Sequence, residues 1–501
     1  MDKKKKFFND VAFYSASNLF ANGLSFIVGI IIRRILQPAI MGLFNEIMLV
    51  FDYARYSQFG VLDALDRELP YFHGKKDLRK IEILKDASFT FCLIMGLAIA
   101  IALFVISFFM AFHKDALLIN GIRIISFMVI IQFVSSLYII SCRAKNNFSP
   151  ISIYTVLIAI LDVVFKVALV LKFGLYGLLW ASVLTWVFGL IYFYKATGEG
   201  FRFLTSFPFG EIKRLLKIGF PIFIMGFVFM TLRNLDRIMI IRLLGTEKLG
   251  FYTIALMVSV YIVQLPNLIY AVIFPRFYQA YGERQDIFNI KELFVKPTMV
   301  FANFFPIFIG IVILFLPLLV NYTLPLYSPG LVPAYILLLG SSFLALANMP
   351  GYLLIVLNKQ IYMIVIGLLS IILGVGLNYL FVKKFNLGLP GIAMASGIAY
   401  FAYTTILISF AFVNYTKKFS AHAIFFCQLY APLIWVIAIL LILKVFTFKV
   451  SGDLAGDCLL VFLKSMVFLA GCFPLVIYAN KKTAIISLLK STYLNKYSKN
   501  E

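Results

Sequence analysis

Residues 231 to 245 read TLRNLDRIMIIRLLG, where Arg233, Asp236 and Arg237 stand at i, i+3 and i+4. A helix carries these two guanidinium groups and one carboxylate on one face, leaving one positive charge over. Arginine grips phosphate and carboxylate through a planar fork of donors, so the surplus suits an anionic ligand. Arg55, three residues after Asp52, is a further cation set in an apolar run, as are the adjacent Arg33 and Arg34, Arg123, Lys166 and Arg242. Lys166 follows Asp162 by four residues and reads as an internal ion pair, while Arg242 sits near a helix end, where a snorkelling anchor is an equal reading. A charge at the centre of a lone membrane helix costs about 2.5 to 3.5 kcal/mol. Several unmatched arginines therefore require a shared hydrated cavity. Ser15, Asn18, Asn22, Ser25, Gly29 and Arg33 recur at steps of three or four, which forms a polar stripe that either glues helices together or lines such a cavity.

Other chemistries find no residues to carry them. His73, His113 and His422 fall in or near loops, and no phosphate-binding G-x-x-x-x-G-K-[ST] occurs. Cys92, Cys142, Cys427, Cys458 and Cys472 are scattered without disulfide or zinc spacing and read as packing residues. No catalytic residue, metal site or bound cofactor is expected.

The elements that position the arginines follow from composition. The 501 residues are 62% hydrophobic and 13% charged, with a mean hydropathy of +0.97, which excludes a soluble domain. Apolar stretches of about 20 residues or more recur from Val11 to Tyr478, each long enough to span hydrocarbon as a helix. The expectation is an all-α polytopic membrane protein with about 14 transmembrane helices. The net charge of +23 does not form a soluble basic face, so nucleic acid is not a partner. Lys3 to Lys6, Lys75, Lys76, Arg79, Lys80, Arg143, Lys145, the cluster from Lys195 to Lys217, Arg284, Lys291, Lys417, Lys418 and the tail from Lys481 all fall on one side. By the positive-inside rule that side is cytoplasmic and holds both termini. The first helix is retained, since no cleavage pattern follows it. Opposite connections are short, the longest being NYTLPLYSPGLVP (321 to 333) and the stretch 451 to 457.

The chain also repeats itself at an offset near 210 residues. IIIRRILQPAIMGLF aligns with IMIIRLLGTEKLGFY, placing Arg34 on Arg242, Gly42 on Gly250 and Phe44 on Tyr252. GLYGLLWAS aligns with GLPGIAMAS, placing Gly174 on Gly388 and Gly177 on Gly391, and RAKN (143 to 146) falls opposite LNKQ (357 to 360). Six helices are thus duplicated in parallel, an architecture of transporters. The expected division is a six-helix lobe at 1–196, a basic cytoplasmic linker at 197–216, a second six-helix lobe at 217–416, and two added helices with a basic tail at 417–501.

An apolar span ending in Arg-x-Leu-Gly-x-x-x-x-Gly-x-[Phe/Tyr], repeated mid-chain, resembles the polysaccharide flippases of the multidrug/oligosaccharidyl-lipid/polysaccharide (MOP) exporter superfamily, and among them the O-antigen repeat-unit flippases. Gln37 departs from the pattern's Gly, which Gly245 keeps in the second copy. The resemblance implies two six-helix bundles around a central cavity that opens alternately to either side of the bacterial inner membrane. The substrate would be a polyprenyl-pyrophosphate-linked oligosaccharide, with membrane lipids and polysaccharide assembly proteins as neighbours and a monomer as the working unit. The family's arginine before Leu-Gly maps onto Arg34 and Arg242, and related precursor flippases place an arginine near Arg55. Residues expected at the cavity are Arg34, Arg55, Arg233, Arg237, Arg242, Arg33, Asn18, Asn22 and Asp236, with Tyr14, Phe20 and Tyr56 available to stack on sugars. The membrane potential, or Na⁺ or H⁺ counterflow, would drive transport. The alternatives are a cation-coupled multidrug exporter of the same fold and, from another class, a membrane polymerase or ligase acting on the same lipid.

Overall fold

The computed structural model describes residues 3–110, 115–204, 207–284, 291–446 and 451–483. The side chains of Lys3 to Lys6 and Arg284, together with His113 and the basic tail from Lys481, lie outside the described residues. Among those described, the regular structure is helical throughout: α1 (Lys3–Ile35), α2 (Pro38–Ala54), α3 (Val61–Gly74), α4 (Leu78–Met110), α5 (Ala116–Ala144), α6 (Ser149–Thr197), α7 (Phe209–Leu243), α8 (Thr246–Arg284), α9 (Lys291–Thr323), α10 (Leu331–Leu346), α11 (Asn348–Val356), α12 (Gln360–Tyr379), α13 (Gly388–Phe412), α14 (Phe419–Ile442) and α15 (Leu454–Thr483).

Eleven stretches among the described residues are long and apolar enough to cross a membrane. The remaining expected spans are interrupted ones. The second is split into α2 and α3 by a 3₁₀ turn at Arg55–Gln58. The fifth and sixth run together as α6, divided at Gly174 by a backbone of φ 53° and ψ −125° that no helix tolerates. Gly388, aligned with Gly174 in the repeat, also has positive φ, 57°, and opens α13. The two copies thus reuse glycine at the same corner, where a Cβ would be strained.

Asn146 and Asn358 are a second matched corner. Both are left-handed, at φ 54° and 55°. Each closes its helix with the same pair of bonds, Asn146 N to Arg143 O and Asn147 N to Cys142 O in one copy, Asn358 N to Ile355 O and Lys359 N to Leu354 O in the other. The structure therefore pairs Asn358 with Asn146 and not with Ala144, which corrects the RAKN/LNKQ register by two residues. The superposition of Lys145 on Lys359 favoured the other register; the corner geometry reveals the correct one. Gln37 also finds its explanation. Pro38 holds Gln37 extended at φ −69° and ψ 156°, whereas Gly245 adopts φ 90°, so only the second copy needs glycine.

The chain forms two compact units, residues 1–253 and 254–501, with the boundary inside α8. In the first, α5 is the central helix, packed on α2, α3, α4 and α6, and α1 lies along α6. Its core includes Ile47, Leu65, Leu84, Ile125 and Leu179, all fully buried. Gly42 and Gly250 let the start of α2 meet the start of α8 backbone to backbone: a Cβ on Gly250 would lie 1.8 Å from the Pro38 carbonyl oxygen, and one on Gly42 2.1 Å from that of Thr246. The repeat's matched glycines thus touch each other, as small residues do where membrane helices approach closely. In the second unit α13 packs on α10, α11 and α12, and α9 on α10, α14 and α15. Gly340 would bring a Cβ within 2.7 Å of the Gly397 Cα.

At its basic end the first unit is tied by Glu199, just beyond α6. Its carboxylate accepts from Lys85 of α4 and from Lys145 and Ser141 of α5, and its carbonyl accepts from the Tyr138 hydroxyl at 3.1 Å. Burial would raise the Glu199 pKa, but the bonds from Lys145, Lys85 and Ser141 outweigh it and hold the group at about 2, against an ordinary 4.5. A carboxylate depressed on folding stabilises fully above its unfolded pKa, and the stabilisation is lost as pH falls through the folded value. The melting temperature of the solubilised protein is therefore expected to fall between pH 4.5 and 2. Glu199→Gln should remove much of that slope while lowering stability at pH 7 by about 1.5 to 3 kcal/mol, the range for charged hydrogen bonds. An unchanged slope in the variant would show that Glu199 is not the group.

Candidate functional site

Arg55 stands where the second span breaks. Phe59 at φ 48° and Gly60 at φ 87° turn the chain, and α3 restarts at Val61. Glycine is obligatory at the corner, because Gly60 lies backbone to backbone with Gly219 of α7; a Cβ on either would sit 2.3 or 1.9 Å from the other's carbonyl oxygen. The restarted helix needs partners for its first amides. Gln58 supplies one: its Oε1 accepts from Leu62 N at 2.9 Å while its Nε2 donates to Asp63 at 3.0 Å. Aromatic edges hold α7 against the break, with Tyr53 on Phe227 at 5.7 Å, Tyr56 on Phe227 at 5.8 Å and Phe59 on Phe223 at 5.6 Å. The hydroxyls of Tyr53 and Tyr56 add bonds to Thr231 and the Gly226 carbonyl, both at 3.4 Å.

The charges on this seam are shared unevenly. Arg237 of α7 takes Asp52 of α2 at 3.3 Å. Arg55 reaches the same carboxylate only at 3.9 Å and keeps 40% of its side chain exposed. Arg233, half-buried one turn away, makes no hydrogen bond or ion pair among the described residues. Asp236 forms no ion pair within the cluster, and its carboxylate acts on Arg237 and Arg233 at longer range. It is buried, and it accepts from the Tyr252 hydroxyl at 3.1 Å and from the Arg237 amide at 2.8 Å. Of the three arginines, only Arg237 and Arg55 come within ion-pair distance of a carboxylate, and both share Asp52. The Nε of Arg237 is itself buried without a hydrogen-bond partner among the described residues.

The other expected site residues separate. Arg33 turns inward and donates to the Thr253 hydroxyl at 3.2 Å, the Thr253 carbonyl at 3.3 Å and the Gly29 carbonyl at 2.9 Å. Arg34 and Arg242, the pair matched by the repeat, are both exposed in the last turns of α1 and α7. Asn18 bonds back to the Tyr14 carbonyl at 2.7 Å, and Asn22 is half-buried beside it on the stripe. Tyr14 packs on Phe148, and Phe20 is exposed. Arg123 lies apart, bonded to Ser107 and Asn120 and set over Phe108. Lys166 forms its helical pair with Asp162 at 2.7 Å.

A polar cavity of about 330 Å³ opens beside the break. Arg55, Tyr56, Gln58, Asp63 and Asp66 line one wall, and Gln132, Phe133, Ser136 and Arg143 of α5 the other. Arg143 pairs with Asp66 at 3.8 Å. Sequence reasoning expected Arg55 and Tyr56 at a cavity, placed Arg143 among loop charges and passed over Gln58, Asp63, Asp66, Gln132, Phe133 and Ser136. The available signal was a pair of glutamines, Gln58 and Gln132, inside apolar runs.

This geometry belongs to a fold seen before. The chain is similar to a multidrug resistance MATE family transporter of the MOP superfamily in its inward-facing conformation, with a TM-score of 0.65, 16% identity, and coverage of 82% of this chain and 95% of that one. It is similar in the same way to the outward-facing conformation of such a transporter, at 0.60, 16%, 82% and 96%. A MOP superfamily transporter from Pyrococcus furiosus, described as having a binding pocket of reversed polarity that suggests a different function, matches at 0.61 and 14%, over 81% of this chain and 95% of that one. No curated protein sequence matches significantly. Residues 30–324 match the family model described as polysaccharide biosynthesis protein. On that match the chain belongs to the polysaccharide biosynthesis protein family, built on the fold of the MOP superfamily transporters.

Proposed function

We propose that the protein is a flippase that carries a polyprenyl-pyrophosphate-linked oligosaccharide, of the O-antigen repeat-unit class, from the cytoplasmic to the periplasmic leaflet of a bacterial inner membrane by alternating access. The observation that carries this reading is the uneven sharing of Asp52. Arg237 holds it, Arg55 touches it at the limit of an ion pair, and Arg233 forms no ion pair among the described residues, with Asp236 acting on it only at longer range. A pyrophosphate would complete the set, and arginine's fork geometry is the one that phosphate oxygens accept. The basic end that bears Lys75, Lys145 and Arg143 is the cytoplasmic one by the positive-inside rule, so the cavity meets substrate on the side of synthesis. A potential negative inside favours outward passage of an anion by about 2.3 kcal/mol per charge per 100 mV, and Na⁺ or H⁺ counterflow would add to it. A cationic drug as substrate is less well served. Asp52, Asp162 and Asp236 are each bonded to Arg237, Lys166 or Tyr252, and of the two carboxylates on the cavity wall Asp66 is set against Arg143 while Asp63 is held by Gln58.

The test is transport in liposomes that contain a lipid-linked oligosaccharide, read by the sugar's accessibility to a reagent in the far compartment. Each charged hydrogen bond to phosphate is worth about 1.5 to 3 kcal/mol, or roughly ten- to a hundredfold in affinity. Arg55→Ala and Arg233→Ala are expected to slow the initial rate at least tenfold at limiting substrate with insertion intact. Arg34→Ala and Arg242→Ala should stay within about twofold of the parent. The reverse ranking, or no movement by the parent protein, would contradict the proposal.

A further inference from the structure

The polar cavity next to Arg55 is larger than an anion needs and smaller than an oligosaccharide. At about 330 Å³ it lies at the low end of ligand pockets, which run from about 300 to 1,000 Å³. Its chemistry is that of a hydroxyl-rich ring. Tyr56, half-buried, offers an apolar face. Ser136 contributes a hydroxyl, Asp63 a carboxylate braced by Gln58 at 3.0 Å, and Asp66 a carboxylate set against Arg143 at 3.8 Å. Gln132 is the most telling member. Its Oε1 is shut off from solvent and has no hydrogen-bond partner among the described residues. Buried acceptors in folded proteins are almost always satisfied, so an orphan just behind a cavity wall calls for a ligand donor, which a turn of the Gln132 terminal amide would bring within reach.

We infer that this cavity binds the single sugar joined to the pyrophosphate, with Gln132, Asp63 and Ser136 reading its hydroxyl or acetamido donors while Arg55 holds the phosphate. The inference rests on the flippase reading and adds to it the residues that set sugar preference. Gln132 is the determinant, because an acceptor with no protein partner gains most when a ligand N–H or O–H arrives and is penalised when none does.

The experiment measures binding to the solubilised full-length protein of two probes, a short-chain polyprenyl pyrophosphate and the same lipid bearing one N-acetylhexosamine. The parent protein is expected to prefer the glycosylated probe at least tenfold. Gln132→Leu should reduce that preference at least fivefold and leave affinity for the bare lipid within twofold. Ser136→Ala, with a smaller reduction in the same direction, serves as the second variant if Gln132→Leu fails to melt cooperatively. An equal loss for both probes, an unchanged preference in the variants, or no preference in the parent would overturn the assignment. The two readings fail separately. A parent that shows the preference but moves neither probe across liposomes sinks the flippase and leaves the sugar site, whereas transport without the preference sinks the sugar site alone.

Discussion

A helix can be interrupted within a membrane only where the freed backbone groups find partners inside the protein. The first unit meets that condition in α2–α3, where Arg55, Gln58 and Asp63 gather beside Asp52 and Arg237. Gln58 bonds the Leu62 amide in the first turn of α3, Gly60 and Gly219 bring the start of α3 and α7 to backbone contact, and Tyr53, Tyr56 and Phe59 lock the seam against Phe223 and Phe227. A side chain at either glycine would part the helices. The same break sets Arg55 at the mouth of a polar cavity instead of on a lipid-facing helix wall.

The electrostatic pattern follows from this placement. Taking charges from water into a protein interior is repaid only by good geometry, and breaking such a pair by removing one partner costs about 3 to 5 kcal/mol. Asp52 and Arg237 make the closest ion pair of the seam, at 3.3 Å, even though the Arg237 Nε stays without a partner among the described residues. Arg55 reaches Asp52 only at 3.9 Å, and Arg233 forms no ion pair among the described residues. On the proposed reading, two cations held beside that pair would form a preorganised positive site, which an arriving anion would occupy without first displacing the structural bridge. Asp236 stays out of the exchange because Tyr252 and the Arg237 amide already hold it.

Much of this was legible in the sequence, and the exceptions have physical causes. The span pattern held because apolar length is dictated by the bilayer. Gly174 with Gly388, and Gly42 with Gly250, were visible as matched residues because both pairs answer backbone constraints that only glycine satisfies. The Asn146 and Asn358 corners slipped by two residues, since the superposition of Lys145 on Lys359 favoured the other register and only φ distinguishes the two. Helical spacing put Arg233, Asp236 and Arg237 on one face, yet a face is wide enough for Asp236 to turn toward α8 while Arg237 turns toward α2. Motif resemblance singled out Arg34 and Arg242, which emerge exposed at helix ends. The cavity wall of α5 was not legible, because Gln132 and Ser136 become neighbours of Gln58 and Asp63 only through packing of helices far apart in sequence.

The most direct test of the central claim is a cryo-EM structure of the protein with a polyprenyl-pyrophosphate-linked saccharide bound. The account predicts pyrophosphate density within about 3 Å of the Arg55 guanidinium, a usual charge-assisted hydrogen-bond distance, with the Asp52 to Arg237 bridge intact. Pyrophosphate seated on Arg34 or Arg242, with Arg55 still resting against Asp52, would contradict it.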